Sequence, residues 1–258
     1  MIPEINTELA GGVLTLTLSR ADKKNALTNE MYGALADAIE SASTDGEIRV
    51  VLIQADGDTF TAGNDVGEFA AQAMGNAPAE RHVVRFLHAL ANATVPIVAA
   101  VQGKAVGVGT TMLLHCDYVI VADDAQLMTP FVNLALVPEA ASSYLLPLRI
   151  GHARAFEMFS LGEPVPAGNA VMWGIANKAV AGAQLRAEAR RIADKLATKP
   201  QGSLIAMKRL MRDAEKLVAQ MDTESATFME RLSSAEAKEA FMAFAQKRQP
   251  DFSRITRQ

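Results

Sequence analysis

The alternation of apolar strands with helical segments is the feature that most constrains how this chain can fold. Three runs, at residues 49–55, 95–103 and 116–123, are apolar and rich in β-branched residues, as is typical of strands buried on both faces of a sheet. Segments with helical spacing lie between them. This order predicts an α/β fold whose strands are mostly parallel.

The pattern changes towards the C-terminus. Beyond residue 182 only amphipathic helical segments follow. Ser233 with Glu236 predicts a capping box at the start of the last of these helices. We therefore predict an α/β core over residues 1–182 and a helical C-terminal region over residues 183–258.

Composition and charge narrow the class of protein. A chain of 258 residues with 50% hydrophobic content is long enough to bury one large core. A net charge of −4 argues against nucleic-acid binding, which usually requires a basic surplus. No apolar run reaches the length of a membrane span, and the first residues lack a signal-peptide pattern. We therefore expect a cytoplasmic protein with neither nucleic acid nor membrane as a partner.

Common catalytic and nucleotide-binding motifs do not fit. The segment GKAVGVGTT lacks the third glycine of the dinucleotide fingerprint, and Lys104 precedes Ala105 rather than Ser or Thr. No Gly-x-Ser-x-Gly elbow occurs, and the only cysteine, Cys116, is expected to be a buried structural thiol. The histidines show no metal-binding spacing, and we expect structural roles for all four: His82, His88, His115 and His152.

Two glycine loops, at residues 61–65 and 103–109, each lie between a predicted buried strand and a helix. Small residues there allow backbone N–H groups to point into a cleft, which suits the binding of an oxyanion by one amide from each loop. The alternative is two tight turns whose glycines only satisfy backbone geometry. Spacing alone leaves both interpretations open.

One carboxylate, Glu139, interrupts an otherwise apolar or small stretch at residues 129–147. One interpretation is a helix start, because Pro138 suits the first helical position and an acid in the first turn complements the helix dipole. The other is a general base whose apolar surroundings raise its pKa towards neutrality. These residues alone do not decide between the two.

Five segments, in this order, resemble the enoyl-CoA hydratase/isomerase (crotonase) superfamily over essentially the whole chain. They are LSRADKKNAL (18–27), FTAGND (60–65), VPIVAAVQGKAVGVG (95–109), CDYVIVADDAQLMTP (116–130) and EAFMAFAQKRQPDF (239–252). The resemblance implies a crotonase-like (ClpP/crotonase) α/β fold, a spiral of ββα units with a helical C-terminal region. It also implies an acyl-CoA thioester as the substrate, and a homotrimer or hexamer assembled through the C-terminal helices.

The same resemblance implies how the substrate is activated. Members of this superfamily stabilise an enolate with two backbone N–H groups, and the matching positions here are Asn64 and Val108. Val108 departs from the frequent glycine, which a backbone donor tolerates because the side chain can point away. The superfamily's hydratases use two glutamates, and the matching positions here hold Thr111 and Phe131. Since neither side chain can act as a carboxylate base, hydration is disfavoured.

A different branch, the peroxisomal type of Δ3,Δ2-enoyl-CoA isomerase, matches more closely. Its motifs appear here as AGND (62–65), TPF (129–131) and PEAASSY (138–144). In that branch the glutamate of the third motif is the base, which assigns this role to Glu139. One carboxylate then suffices for the proton transfer, without a metal or redox cofactor.

Substrate contacts follow from the resemblance as well. The residues expected to bind the CoA or acyl group are Lys24, Ala26, Ala62, Gly63, Asn64, Asp65, Val66 and Phe131. Arg20, Lys23 and Lys24 form a basic cluster suited to phosphates, although an ordinary solvated charge run is the alternative. The leading prediction is an enoyl-CoA isomerase of fatty acid metabolism. The alternatives are an enoyl-CoA hydratase, another crotonase-type lyase or hydrolase, and a non-catalytic relative that binds acyl-CoA or RNA.

Overall fold

The computed structural model describes residues 2–65, 67–68, 80–253 and 255. A six-stranded sheet in the order β1-β2-β3-β4-β6-β9 and a three-stranded sheet in the order β5-β7-β8 carry the fold. In the larger sheet every pair except β1–β2 is parallel, which confirms the predicted α/β class. The strands of the described residues are β1 (Ile5–Ala10), β2 (Val13–Leu18), β3 (Val50–Ala55), β4 (Ile97–Val101), β5 (Lys104–Val106), β6 (Tyr118–Ala122), β7 (Gln126–Met128), β8 (Val165–Pro166) and β9 (Lys178–Val180).

Helices cover both faces of the larger sheet. They are α1 (Asn29–Ala42), α2 (His82–Asn92), α3 (Val108–Thr111), α4 (Ser142–Ile150), α5 (His152–Leu161), α6 (Ala167–Met172), α7 (Leu185–Ala197), α8 (Gln201–Met211), α9 (Ala214–Leu232) and α10 (Ala235–Ala245). Helices α1 and α2 pack into the main core on one face. Helix α7 packs on the other face. None of the helices in the described part of the chain combines the length and hydropathy that a membrane-spanning helix needs.

Strand β3 shows why the apolar runs form central strands. Val51 and Ile53 point into the main core, whereas Val50 and Leu52 point into the smaller core beneath α7. Because successive side chains of a strand alternate between faces, a strand covered on both sides must be apolar throughout. The run at residues 49–55 was predicted on this basis and lies in the middle of the sheet.

The helical C-terminal region begins with a helix that belongs structurally to the sheet, since α7 covers one of its faces. The division of the chain at residue 182 stays a prediction. The capping box of Ser233 and Glu236 is wrong by one residue, because Ser234 is the N-cap of α10 and its hydroxyl accepts the Ala237 N–H at 3.0 Å. Ser234 has the extended backbone that an N-cap needs, whereas Ser233 still has helical dihedral angles at the end of α9.

Candidate active site

The two glycine loops lie side by side, beyond the carboxyl ends of the neighbouring parallel strands β3 and β4. A short parallel bridge joins them. The Thr61 N–H donates to the Lys104 carbonyl at 3.1 Å, and the Val106 N–H donates to the Thr61 carbonyl at 3.0 Å. The fold therefore brings together residues of the two loops that are more than 40 positions apart in the sequence.

Two glycines make this close approach possible. A Cβ atom on Gly63 would lie 2.8 Å from the Val106 carbonyl oxygen, and the φ of Gly63 is +88°. A Cβ atom on Gly109 would lie 2.4 Å from the Thr61 Cγ2 atom. Both distances are shorter than a side chain can tolerate, so the contact between the loops requires glycine at both positions, and the positive φ requires it at Gly63 as well.

The amides of Asn64 and Val108 differ from those of the neighbouring residues in their hydrogen bonding. Among the described residues, neither N–H donates a hydrogen bond, although the neighbouring Gly63 and Asp65 amides are bonded within the protein. Val108 is the first residue of α3, where a helix has no internal acceptor for its N–H groups. Its side chain is buried in the main core, so a valine at this position is compatible with a backbone donor. Their role as oxyanion donors stays a prediction.

The side chain of Asn64 is fixed by a hydrogen bond from α1. The Tyr32 hydroxyl donates to Asn64 Oδ1 at 2.5 Å, and Tyr32 is buried with its ring against Phe86. Burial raises the pKa of Tyr32 well above its ordinary value, and the nearby carboxylates of Glu139 and Glu68 raise it further. The hydroxyl therefore remains protonated and keeps its role as a donor at any working pH.

Glu139 does not open a helix. Helix α4 begins at Ser142 with Ala141 as its N-cap and has no acid in its first turn. Ala140 and Ala141 both have left-handed backbones, with φ of 62° and 53°. The helix-start interpretation is therefore wrong, and Glu139 lies at the beginning of a tight turn formed by residues 139–143, which we call the Glu139 turn.

The two oxygens of the Glu139 carboxyl group have different surroundings. The Thr111 hydroxyl donates to Oε1 at 2.5 Å. Oε2 is buried and has no hydrogen-bond partner among the described residues. Burial raises the pKa of this group to about 8, against the opposing effect of the Thr111 hydrogen bond and with a further contribution from the charge of Glu224. A carboxyl group of this kind is a far stronger base than an ordinary glutamate.

Glu139, Asn64 and Tyr32 line one cavity of about 70 Å³, which we call the Glu139 cavity. Much of its wall is apolar, including Leu27, Leu87, Met221 and Phe228. Such a wall suits an acyl chain and lowers the local dielectric, which makes hydrogen bonds and charges inside it more effective.

Two further carboxylates line the Glu139 cavity, and both are already bonded. Asp65 accepts a hydrogen bond from Arg20 Nη1 at 2.7 Å. Burial raises its pKa, but the Arg20 bond and two backbone amides outweigh this and leave the pKa below its usual value. Glu68 accepts the Asn29 N–H at 2.8 Å. Among the described carboxylates of the cavity, only Glu139 has a buried oxygen free to act on a ligand.

The remaining residues that were predicted to contact the substrate have different surroundings. Lys24 pairs with Asp58 at 2.9 Å on the surface, and the Ala62 N–H donates to the Lys24 carbonyl, which ties this segment to the first glycine loop. The Ala26 carbonyl accepts from Arg20. Phe131 belongs to a separate apolar cluster with Phe228, and of these two residues only Phe228 lines the cavity. Val66 lies outside the described residues, and the binding roles of all these residues stay predictions.

His115 and Cys116 have structural surroundings, whereas His88 lies on the wall of the Glu139 cavity, and structural roles for the other histidines stay a prediction. His115 is fully buried, with Nε2 2.7 Å from the Ala140 carbonyl and Nδ1 hydrogen-bonded to Arg212. Burial, followed by the charge of Arg212, lowers the pKa of His115 to about 3. Burial raises the pKa of the Cys116 thiol to about 12. Nowhere in residues 2–65, 67–68, 80–253 and 255 do three His, Cys, Asp or Glu side chains converge as metal ligands.

Sequence reasoning missed two residues of this site, Tyr32 and Glu224. Tyr32 carries only the helical spacing of a core residue, and nothing in that pattern reveals where its hydroxyl points. Glu224 is a glutamate on an amphipathic helix, 83 residues from the backbone amide that it binds. No local signal could have identified either contact.

Comparisons with known proteins agree on one family. A family model described as enoyl-CoA hydratase/isomerase matches residues 8–255. A crystal structure of an enoyl-CoA hydratase/isomerase from Pseudoalteromonas atlantica T6c is 44% identical, covers 96% of this chain and 99% of that one, and has a TM-score of 0.92. This similarity confirms the predicted crotonase-like fold.

Two named relatives show the same degree of identity. The chain is 34% identical to 1,2-epoxyphenylacetyl-CoA isomerase of Escherichia coli K12, over 98% of this chain and 99% of that protein. It is also 34% identical to enoyl-CoA delta isomerase 2 of Rattus norvegicus, over 91% of this chain, and spans 61% of the rat protein's length. Other relatives at similar identity have names that refer to enoyl-CoA hydratases. The chain therefore belongs to the enoyl-CoA hydratase/isomerase (crotonase) family, whose members act on CoA thioesters.

Proposed function

We propose that the protein is a Δ3,Δ2-enoyl-CoA isomerase in which Glu139 is the single base. The observation that carries this proposal is the buried Oε2 of Glu139, which has no hydrogen-bond partner among the described residues and lies in a cavity shared with Asn64. The positions that match the hydratase glutamates hold Thr111 and Phe131, and the Thr111 hydroxyl binds the other oxygen of Glu139. A residue in the place of one base thus orients a different base.

The reaction follows from this arrangement. The C2 proton of a 3-enoyl-CoA is acidified by the thioester and by the adjacent double bond. Glu139 Oε2 takes this proton, and the electron pair moves onto the thioester oxygen. The amides of Asn64 and Val108 donate to that oxygen, and one such donor is worth on the order of 3 kcal/mol in the barrier. The protonated Glu139 then returns the proton to C4, which leaves the double bond between C2 and C3.

The pKa of Glu139 suits a group that must both take and return a proton. A general base works best when its pKa lies near the operating pH. At about 8, the pKa of Glu139 is high enough for proton abstraction from carbon and low enough for ionisation near neutrality. An ordinary exposed glutamate, with a pKa near 4.3, is a much weaker base.

A hydratase is the second candidate, because relatives with similar identity carry hydratase names. Hydration requires a second group to activate water. Asp65 and Glu68 lie on the cavity wall, but the first pairs with Arg20 and the second accepts the Asn29 N–H. The isomerase is favoured because its chemistry needs only one carboxylate, and Glu139 is the one with a free buried oxygen among the described carboxylates of the cavity.

A comparison of two substrates tests the proposal. Purified wild-type protein, Glu139→Gln and Glu157→Gln are each incubated with a 3-enoyl-CoA and, separately, with a 2-enoyl-CoA. Glu157 is exposed on α5 and provides the same chemical change outside the site. We expect the wild type and Glu157→Gln to form the conjugated thioester, and Glu139→Gln to lose this activity. Water addition to the 2-enoyl-CoA by the wild type, without isomerisation, would assign the protein to the hydratases.

We also propose that the protein assembles as a homotrimer or hexamer. Helix α8 exposes three large apolar side chains, with relative exposures of 51% for Met207, 90% for Leu210 and 79% for Met211. Neighbouring apolar side chains of this size are typical of an interface. Sedimentation analysis of the wild type and of Leu210→Glu tests the proposal, since the charged variant should dissociate. The cytoplasmic location and the lack of a cofactor requirement remain predictions.

A further inference from the structure

A buried glutamate on helix α9, in the C-terminal region, accepts hydrogen bonds from the Glu139 turn. Glu224 is 6% exposed. Its Oε2 accepts the Ala141 N–H at 2.6 Å, and its Oε1 accepts the Ser143 N–H at 3.0 Å as well as the Ser143 hydroxyl. The carboxylate therefore satisfies two backbone amides at the end of the turn, where α4 begins.

The Glu139 turn needs such support. Ala140 and Ala141 both adopt left-handed backbones, which side chains with a Cβ atom disfavour and which persist only where the surroundings fix them. Two contacts do so here. His115 Nε2 binds the Ala140 carbonyl at 2.7 Å, and Glu224 binds the Ala141 amide on the other side.

The same helix also forms part of the cavity. Met221, Ser225 and Phe228 of α9 line the Glu139 cavity, and Glu224 lies on that side of the helix. The position of α9 thus determines the shape of the acyl pocket and the support of the turn together. Any movement of the turn would move the Glu139 carboxyl group, because the turn begins at that residue.

We propose that Glu224 is a positioning residue for the reaction, which holds the Glu139 turn and so fixes the Glu139 carboxylate against the substrate carbon. This inference rests on the proposed isomerase function. The competing explanation is an ordinary helix cap, in which Glu224 stabilises the start of α4 and does not affect the chemistry.

The charge of Glu224 also acts directly on the Glu139 carboxyl group. Burial raises the pKa of Glu139, the Thr111 hydrogen bond opposes this, and the negative charge of Glu224 adds to the increase. His115, which touches the same turn, has a pKa of about 3 and is uncharged at working pH. The other titratable groups on the cavity wall are Tyr32, Asp65, Glu68, Arg81 and His88.

The test combines activity with a direct titration. Glu224→Gln removes the charge and turns one acceptor oxygen into an amide donor, so that at least one of the two backbone bonds is lost. Glu230→Gln makes the same change at an exposed position of α9. For each protein, kcat and KM for a 3-enoyl-CoA are measured. The Glu139 carboxyl is titrated by carbon-13 NMR of glutamate-labelled protein and is assigned by its absence in Glu139→Gln.

We expect Glu224→Gln to lower kcat by at least about tenfold with KM changed less than about threefold, because small displacements of a reacting group are costly. We also expect the Glu139 titration to move to lower pH, and Glu230→Gln to change neither quantity. If Glu224→Gln does not fold, Glu224→Asp retains the charge but cannot reach both amides. This variant should also lose kcat.

A folded Glu224→Gln with wild-type kcat overturns the proposal. So does a loss of kcat in that variant without any movement of the Glu139 titration, since general loosening would produce that result. Wild-type kcat in Glu224→Asp overturns it as well. Because the titration needs no substrate, it reports on Glu224 even if the wild type fails to isomerise a 3-enoyl-CoA, and the two proposals can fail separately.

Discussion

Replacing Thr111 with valine removes one hydrogen bond from Glu139, the proposed base, and changes little else in the shape of the side chain. Thr111 is fully buried, and its hydroxyl donates to Glu139 Oε1. This hydrogen bond favours the ionised form of Glu139 and lowers its pKa. In Thr111→Val the pKa therefore rises further above about 8, and the base is ionised only in more alkaline solution.

The size of the effect follows from the geometry. With a pKa of about 8, roughly a tenth of the wild-type protein has Glu139 ionised at pH 7. A hydrogen bond to a charged group contributes about 1.5–3 kcal/mol. Its loss should therefore reduce the ionised fraction at neutral pH, and with it kcat/KM, by roughly 10- to 150-fold. The activity should recover as the pH rises, because the valine variant still possesses the base.

The assay is the pH dependence of kcat/KM for a 3-enoyl-CoA, compared between wild type, Thr111→Val and Thr111→Ser. The serine variant retains the hydroxyl and should keep the wild-type profile. The expected result is an acid limb displaced to higher pH in Thr111→Val only. An equal loss at every pH would refute this reasoning, because it would mean that Thr111 positions the carboxyl group without affecting its ionisation. An unchanged profile would show that the hydrogen bond has no part in the reaction.

Three further changes test neighbouring parts of the site. Glu139→Gln should stabilise the protein by roughly 3–6 kcal/mol above pH 8. The reason is that a carboxyl group whose pKa is raised to about 8 in the folded state costs the wild type stability as the pH rises from about 4.5. The free energy of unfolding of both proteins, measured by denaturation at pH 5 and pH 9, tests this. Tyr32→Phe removes the hydrogen bond to Asn64 Oδ1 and should lower kcat by roughly 2- to 12-fold in steady-state assays. Gly109→Ala forces the glycine loops apart and should cost roughly 100- to 1,000-fold in kcat, whereas Gly168→Ala, with open space around it, should leave kcat unchanged.

The sequence predicted the features that depend on local pattern. Strand β3 was recognised because burial on both faces demands apolar residues throughout, and the family was recognised from short motifs in their proper order. The left-handed backbone of the two alanines in the Glu139 turn gave no such signal, because residues other than glycine are not expected at positive φ. The contact of Glu224 with Ala141 was equally hidden, since it depends on how α9 packs against the core.

Burying Glu139 opposes folding, and the surrounding structure shows how the fold accommodates it. An unpaired carboxylate in an apolar cavity is costly unless it is protonated, which is why its pKa rises to about 8. The Thr111 hydroxyl relieves part of this cost but binds only one oxygen. A second donor at Oε2 would make the protein more stable, but it would also lower the pKa and occupy the oxygen that must take the proton. Among the described residues Oε2 has no hydrogen-bond partner, a feature that stability alone does not explain and that the proposed proton transfer requires.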